Sequence, residues 1–77
     1  MYSFLVLIEK SADGYGAYAP DLPGCVAVGD TVEEVEQLMH GALEMHISAM
    51  EKNGEEIPRP THVAAQMFSV RGLVDAK

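Results

Sequence analysis

A single cysteine, five basic side chains against twelve acidic ones, and no apolar run of membrane length: this 77-residue chain is defined first by what it lacks. One cysteine excludes an internal disulfide, and no cysteine–histidine cluster has the spacing of a zinc site, so two common staples of small folds are missing. The shortage of lysine and arginine leaves a formal charge of −7. A uniformly acidic chain repels phosphate backbones, so no direct nucleic-acid binding is expected and a basic partner is favoured. No segment approaches a membrane span. The apolar stretch Phe4 to Ile8 follows no basic segment and precedes no small-residue cleavage site, so it does not read as a signal peptide. The expectation is a cytoplasmic protein with Cys25 reduced. Signatures of catalysis are also lacking: there is no glycine-rich phosphate loop, no serine elbow, and no carboxylate pair in surroundings that would separate its pKa values. The chain reads as a non-enzyme that needs no cofactor.

What is present is a folding composition. Hydrophobic residues make up 48% of the chain, typical of a globular domain. Residues 1–77 are expected to form a single domain. A core of this size is marginal, and with disulfides and metals excluded, self-association is the remaining way to stabilise it.

Residues 2–9, YSFLVLIE, read as a strand with Tyr2, Phe4, Val6 and Ile8 on one face and Leu5 and Leu7 on the other. Both faces are apolar, which suits a strand covered on both sides. Asp13-Gly14 supplies the positive φ of a tight hairpin turn into a second strand, YGAYA. Leu22-Pro23-Gly24-Cys25 reads as a type II turn, with proline fixing φ at its second position and glycine taking positive φ at its third. CVAV is a short third strand. Thr31 and Glu34 form a capping box, hydroxyl to the Glu34 amide and carboxylate back to the Thr31 amide, and Glu33 and Glu34 suit the positive end of the helix dipole. The helix runs to Asn53 with Gly54 as its left-handed terminator. Val32, Val35, Met39, Ala42, Leu43, His46, Ala49 and Met50 gather on one face, widened by Leu38 and Met45 on one side and Ile47 on the other. After the proline-stiffened EEIPRP, MFSVRGL (67–73) reads as a fourth strand. The class is α+β, ordered β-β-β-α-β, with one helix against one sheet. A single helix covers one sheet face, so Leu5 and Leu7 must meet something else.

The chemistry-bearing residues read mostly as structure. Cys25 stands among Asp21, Asp30 and apolar side chains, which raise a thiol pKa, so it is a packed side chain and not a nucleophile. Glu36, His40 and Glu44 follow helical spacing and read as a solvated face before a metal site. His46, near the middle of the apolar face, reads as a neutral core histidine bonded to backbone or tyrosine, with an interface or pH-sensing role as the alternative. The fold-defining turns and caps are Gly14, Pro23, Gly24, Thr31, Glu34 and Gly54. The expected oligomer or partner interface is Leu5, Leu7, Leu38, Met45 and His46.

The ordered set Gly14-Tyr15, Pro20-Asp21-Leu22-Pro23-Gly24-Cys25, Gly29-Asp30-Thr31, Glu34 and Ile57-Pro58, from about Tyr2 to Pro60, resembles the HicB antitoxin family. The resemblance implies a partial ribonuclease H-like fold with a fourth strand parallel to the first, giving one mixed sheet of order 3-2-1-4. It implies a small basic HicA-like RNA-cleaving toxin as partner, neutralised by covering its active surface, within a homo-dimer or homo-tetramer. The ribonuclease H likeness is architectural, since the acidic cluster that would hold magnesium is missing. The residues after Pro60 are too few for a helix-turn-helix, which points to a short form without a C-terminal DNA-binding domain. The alternative is a stand-alone homo-oligomeric HicB-like module with no toxin partner, serving assembly or small-ligand binding.

Overall fold

A computed structural model describes residues 2–72. Three short strands precede one long helix: β1 (Leu7–Lys10), β2 (Tyr15–Tyr18), β3 (Val26–Gly29) and α1 (Val32–Lys52). The sheet is antiparallel in the order β1-β2-β3, with Ile8 opposite Ala17 and Ala17 opposite Ala27. The class is α+β. The helix packs chiefly on β3 and β2. Between sheet and helix lie Ala17, Ala19, Leu22, Cys25, Val35 and Met39, all buried. Phe4, Val6, Ile8, Tyr15, Ala27, Leu43 and Ile47 close around them.

Strand β1 is shorter than the apolar run that encodes it. Propensity marks residues 2–9, but a strand exists only where a neighbour offers donors and acceptors. β2 ends at Tyr18, and the chain turns at Pro20, which has no N–H to give. Residues 2–6 therefore extend past their only neighbour. Phe4 and Val6 still turn inward on the same side as Ile8.

Local punctuation shapes the crossing from β2 to the helix. Two consecutive turns, Ala19 to Leu22 and Leu22 to Cys25, each carry proline at the second position. They are closed by Leu22 N–H to Ala19 O at 3.0 Å and Cys25 N–H to Leu22 O at 3.1 Å. Gly24 sits at φ 87°, the left-handed value a type II turn requires. At the helix start, Thr31 Oγ1 accepts the Glu34 amide at 3.0 Å. The return bond differs from the expected one: Glu34 Oε1 accepts the Asp30 amide at 2.6 Å, one residue before Thr31. At the other end, Gly54 lies at φ 71°. The Glu55 amide donates to Met50 O at 2.9 Å and the Gly54 amide to Glu51 O at 3.1 Å, a Schellman closure.

Two expectations need correction. Gly14 does not adopt positive φ; among the described residues only Gly24 and Gly54 do. The β1–β2 loop spans Ser11 to Gly14, closed by Ser11 N–H to Gly14 O at 2.8 Å, and this longer loop needs no left-handed residue there. Gly14 is glycine for lack of room, since a Cβ would run into the Gly29 carbonyl oxygen. The fourth strand is also missing from its expected place. Residues 61–72 hold no regular structure, and the β1 edge is unpaired among the described residues. Leu73, the end of that expected strand, lies outside the described residues.

Candidate interaction surfaces

Three apolar features are left open once the core is closed. The first is the outer face of the sheet. In register, Leu7, Tyr18 and Val26 form one row across it, and Glu9, Gly16 and Val28 the next. Val26 and Val28 are 60% and 75% exposed. Leu5 joins this face by alternation and, like Leu7, is half-buried. Nothing among the described residues lies over it.

The second is the helix flank. Burial selects the side carrying Val35, Met39, Ala42, Leu43, Ile47 and Met50. Leu38 and Met45 fall outside it, with Met45 74% exposed. His46 is half-buried at a shallow depression shared with Gly24, Cys25, Val26, Ala42 and Met45. Its ring makes no hydrogen bond among the described residues, so it is a flank residue and not the bonded core histidine that its position on the helical wheel suggested. Leu5 and Leu7 on the sheet and Leu38, Met45 and His46 on the helix therefore form two separate patches.

The third feature runs between β1 and the helix. Because α1 lies over β2 and β3, its near side stands away from β1 and leaves a groove of about 490 Å³. Phe4, Leu43 and Ile47 form its floor, while His40, Glu44 and Glu51 contribute polar groups. It continues along Val6 and Ile8, where Glu36 and His40 border it. The helical series Glu36, His40 and Glu44 thus flanks an apolar slot.

Cys25 is buried and unpaired. Removal from water pushes its thiol pKa up, away from the thiolate a nucleophile needs.

One polar cluster has no counterpart in the local sequence signals. Asp21, on the turn after β2, accepts the Thr61 amide at 3.0 Å through Oδ2 and the Thr61 hydroxyl at 2.7 Å through Oδ1. His62 Nδ1 lies 3.3 Å from Oδ2. The Thr61 amide bond, then its hydroxyl bond, hold the Asp21 carboxyl below the usual carboxylate range. The pairing spans 40 residues, and no spacing rule reaches that far.

Comparison with known proteins gives these surfaces a context. The family model described as HicB_like antitoxin of bacterial toxin-antitoxin system matches residues 4–71. An uncharacterized 14.9 kDa protein from the rep-hol intergenic region of Haemophilus phage HP1 is 41% identical over 54 residues, which are 70% of this chain but only 41% of the phage protein. The chain thus spans less than half the length of that relative. A UPF0150 protein of Synechocystis sp. is 38% identical over 60 residues, covering 77% of this chain and 76% of that protein. Among solved structures, a chain of a HicA3 and HicB3 toxin-antitoxin complex superposes with a TM-score of 0.66 at 28% identity, covering 78% of this chain and 70% of the other. With the family match running through strands, turns, helix and the tail beyond it, this chain belongs to the HicB-like antitoxins of bacterial toxin-antitoxin systems.

Proposed function

We propose that this chain is a non-catalytic antitoxin that binds a small basic HicA-like RNA-cleaving toxin and neutralises it by covering its active surface. The observation that carries this reading is the likeness, over most of both chains, to a member of a HicA3–HicB3 complex. Physical chemistry supports it. An RNA-cleaving protein has a cationic surface for its substrate, and a chain of charge −7 is drawn to that surface by opposite potentials. The bare outer face offers apolar contact through Leu7, Tyr18, Val26 and Val28, with the acidic Glu9 in the row of Val28. The buried Cys25 offers no nucleophile. The reading places the protein in the cytoplasm, as one domain that needs no cofactor and makes no direct contact with nucleic acid. It treats the open β1 edge as the site of the fourth strand in a 3-2-1-4 sheet of partial ribonuclease H-like type.

The reading predicts a small basic protein encoded beside this chain, and the deciding experiment is co-expression with it. Formation of a complex together with relief of growth arrest supports the proposal. Neither a complex nor relief, with both proteins folded, refutes it.

A second reading is a stand-alone homo-oligomer with no toxin partner, serving assembly or a small apolar ligand. The observation favouring it is the amount of apolar surface left open on a chain too small to leave it bare comfortably. A tight homo-oligomer with no toxin-like neighbour gene would select it.

A further inference from the structure

The central strand holds a glycine that the fold itself does not require. A glycine inside a strand has no side chain to pack and weakens the strand, so it marks a bulge or the close approach of another group. Gly24 and Gly54 take positive φ. A Cβ on Gly14 would run into the Gly29 carbonyl, and one on Gly29 into Glu34 and Val35. Among the glycines up to Gly54, only Gly16 and Gly41 have neither reason. Of these two, Gly16 alone stands on the bare sheet face. A Cβ there would find only ordinary contacts, the Ala27 carbonyl oxygen and Val28 Cγ1, each at 3.9 Å. The register is regular and carries no bulge, with Glu9 opposite Gly16 on β1 and Val28 opposite it on β3.

The missing side chain leaves a notch in the outer face. Its floor is the Gly16 backbone. Its walls are Glu9 and Val28, two strand spacings or about 9–10 Å apart. Tyr18, two residues along β2, is the next side chain of that strand on this face. The walls differ in chemistry. Val28 is aliphatic and exposed. Glu9 is exposed and makes no side-chain hydrogen bond or ion pair among the described residues. Lys10 beside it gives no counter-charge, because it alternates to the opposite face and sits 4.9 Å from the centre of the Tyr15 ring. An open carboxylate, an aliphatic wall, a bare backbone floor and a neighbouring aromatic ring suit a long side chain with an apolar stem and a flat cationic head. Arginine has that form. Its stem fits over Gly16 against Val28, and its guanidinium meets the Glu9 carboxylate in a fork and offers Tyr18 a planar face. Lysine brings a point charge with no flat surface.

We propose that the notch over Gly16 seats an arginine of the basic partner protein, with Glu9 receiving its guanidinium and Val28 its stem. This rests on the toxin reading and deepens it, since it names the point on the outer face where that partner comes closest and the charge it delivers there. The glycine is then kept at the cost of a weaker strand, because a side chain at position 16 would fill the seat.

Three measurements test this on the full chain. In the free protein, Gly16→Ala should leave the thermal midpoint unchanged or raise it, because nothing internal needs the glycine. A clear fall overturns the proposal. With the co-expressed small basic protein, Gly16→Val and Glu9→Gln should each raise the Kd of the complex by about tenfold or more, the scale of a lost hydrogen bond to a charged group. A complex indifferent to both changes overturns the proposal and leaves the toxin reading standing. A Gly16→Val chain that loses a homo-oligomer while keeping its partner would assign the notch to a second copy, and also overturns it. The third measurement needs no toxin. An acetylated tetra-arginine peptide titrated into isotope-labelled chain should shift the Glu9, Gly16 and Val28 amide resonances more than tetra-lysine does, and Gly16→Val should remove that difference. Shifts spread over the other acidic residues and absent from these three overturn the proposal. A chain that captures no neighbouring gene product yet seats tetra-arginine at Gly16 refutes the toxin reading and keeps the notch.

Discussion

The Asp21 carboxylate receives both the amide and the hydroxyl of Thr61, tying the turn after β2 to the chain beyond the helix. With His62 Nδ1 3.3 Å from the same carboxylate, Asp21 gathers the side-chain contacts that join distant parts of the chain among the described residues, the other side-chain bonds being local. It fixes the start of residues 61–72 against the turn after β2.

The clamp should open in acid. Asp21 has a folded-state pKa below its ordinary value of 3.8, so its contribution is fully present above about pH 4 and is lost as pH falls through the lower, folded value. In solution NMR, the Thr61 amide resonance should follow a titration with its midpoint below 3.8. In Asp21→Asn the Thr61 amide should show no acid transition in that range. A midpoint at or above 3.8 in the native protein would mean that the carboxylate is not held by Thr61.

The two helix-edge signals should each have a measurable stability cost. Thr31 Oγ1 satisfies the Glu34 amide at a terminus that otherwise leaves amides unpaired, so Thr31→Ala should destabilise by about 1 kcal/mol in denaturant unfolding. Glu34 reaches the Asp30 amide in return, so the effects of Thr31→Ala and Glu34→Ala should be less than additive. Simple additivity would show that the two bonds act independently.

Glycine substitutions should split by sign. Gly24 sits at φ 87°, where a side chain meets its own backbone, and Gly24→Ala should lower stability by about 1–2 kcal/mol. Gly41 lies inside α1, and a Cβ there meets nothing within 4 Å. Gly41→Ala should therefore raise stability by about 0.8–1 kcal/mol through helix propensity alone. The same change at two glycines gives opposite shifts of the thermal midpoint.

These turns and caps were legible in the sequence because each is written within about four residues. Pro23-Gly24 sets a type II turn, Thr31 and Glu34 set a start, and Gly54 sets a stop, with little reference to the rest of the chain. What failed to show depends on distant partners. Residues 2–9 have strand composition throughout, yet pairing ends where β2 ends, at Tyr18. Gly14 looked like a turn glycine, but its constraint is the approach of Gly29, fifteen positions away. The Asp21–Thr61 clamp joins two residues that carry no local signal for each other. His46 shares the helical period of the core, but the helix rolls toward Ile47 and leaves His46 and Met45 at the flank.

The roll of the helix has its own test. Met39 is 2% exposed against the sheet, while Met45 on the same helix is 74% exposed. Met39→Ala should cost about 2–5 kcal/mol, the range for emptying a packed core site. Met45→Ala should stay within about 0.5 kcal/mol, as surface changes do. Comparable losses at both positions would place Met45 in an interface that persists under the conditions of unfolding.

The outer sheet face and the β1 edge are separable surfaces, and introducing a single charge can tell them apart. Val28 projects from β3 onto the bare face and is 75% exposed, so a lysine there removes no packing from the core. Val28→Lys should leave chain stability within about 0.5 kcal/mol. It should weaken a basic partner on that face twice over, by losing apolar contact and by adding a like charge. Phe68→Asp acts instead on residues 61–72, which lie outside the three-stranded sheet. If toxin capture falls with Val28→Lys while the homo-oligomer persists, and the reverse holds for Phe68→Asp, the two surfaces serve two partners. If both changes abolish toxin capture together, the toxin recognises only the assembled form, and self-association is a precondition of neutralisation. Measuring each variant for homo-oligomer mass and for toxin co-purification distinguishes these cases.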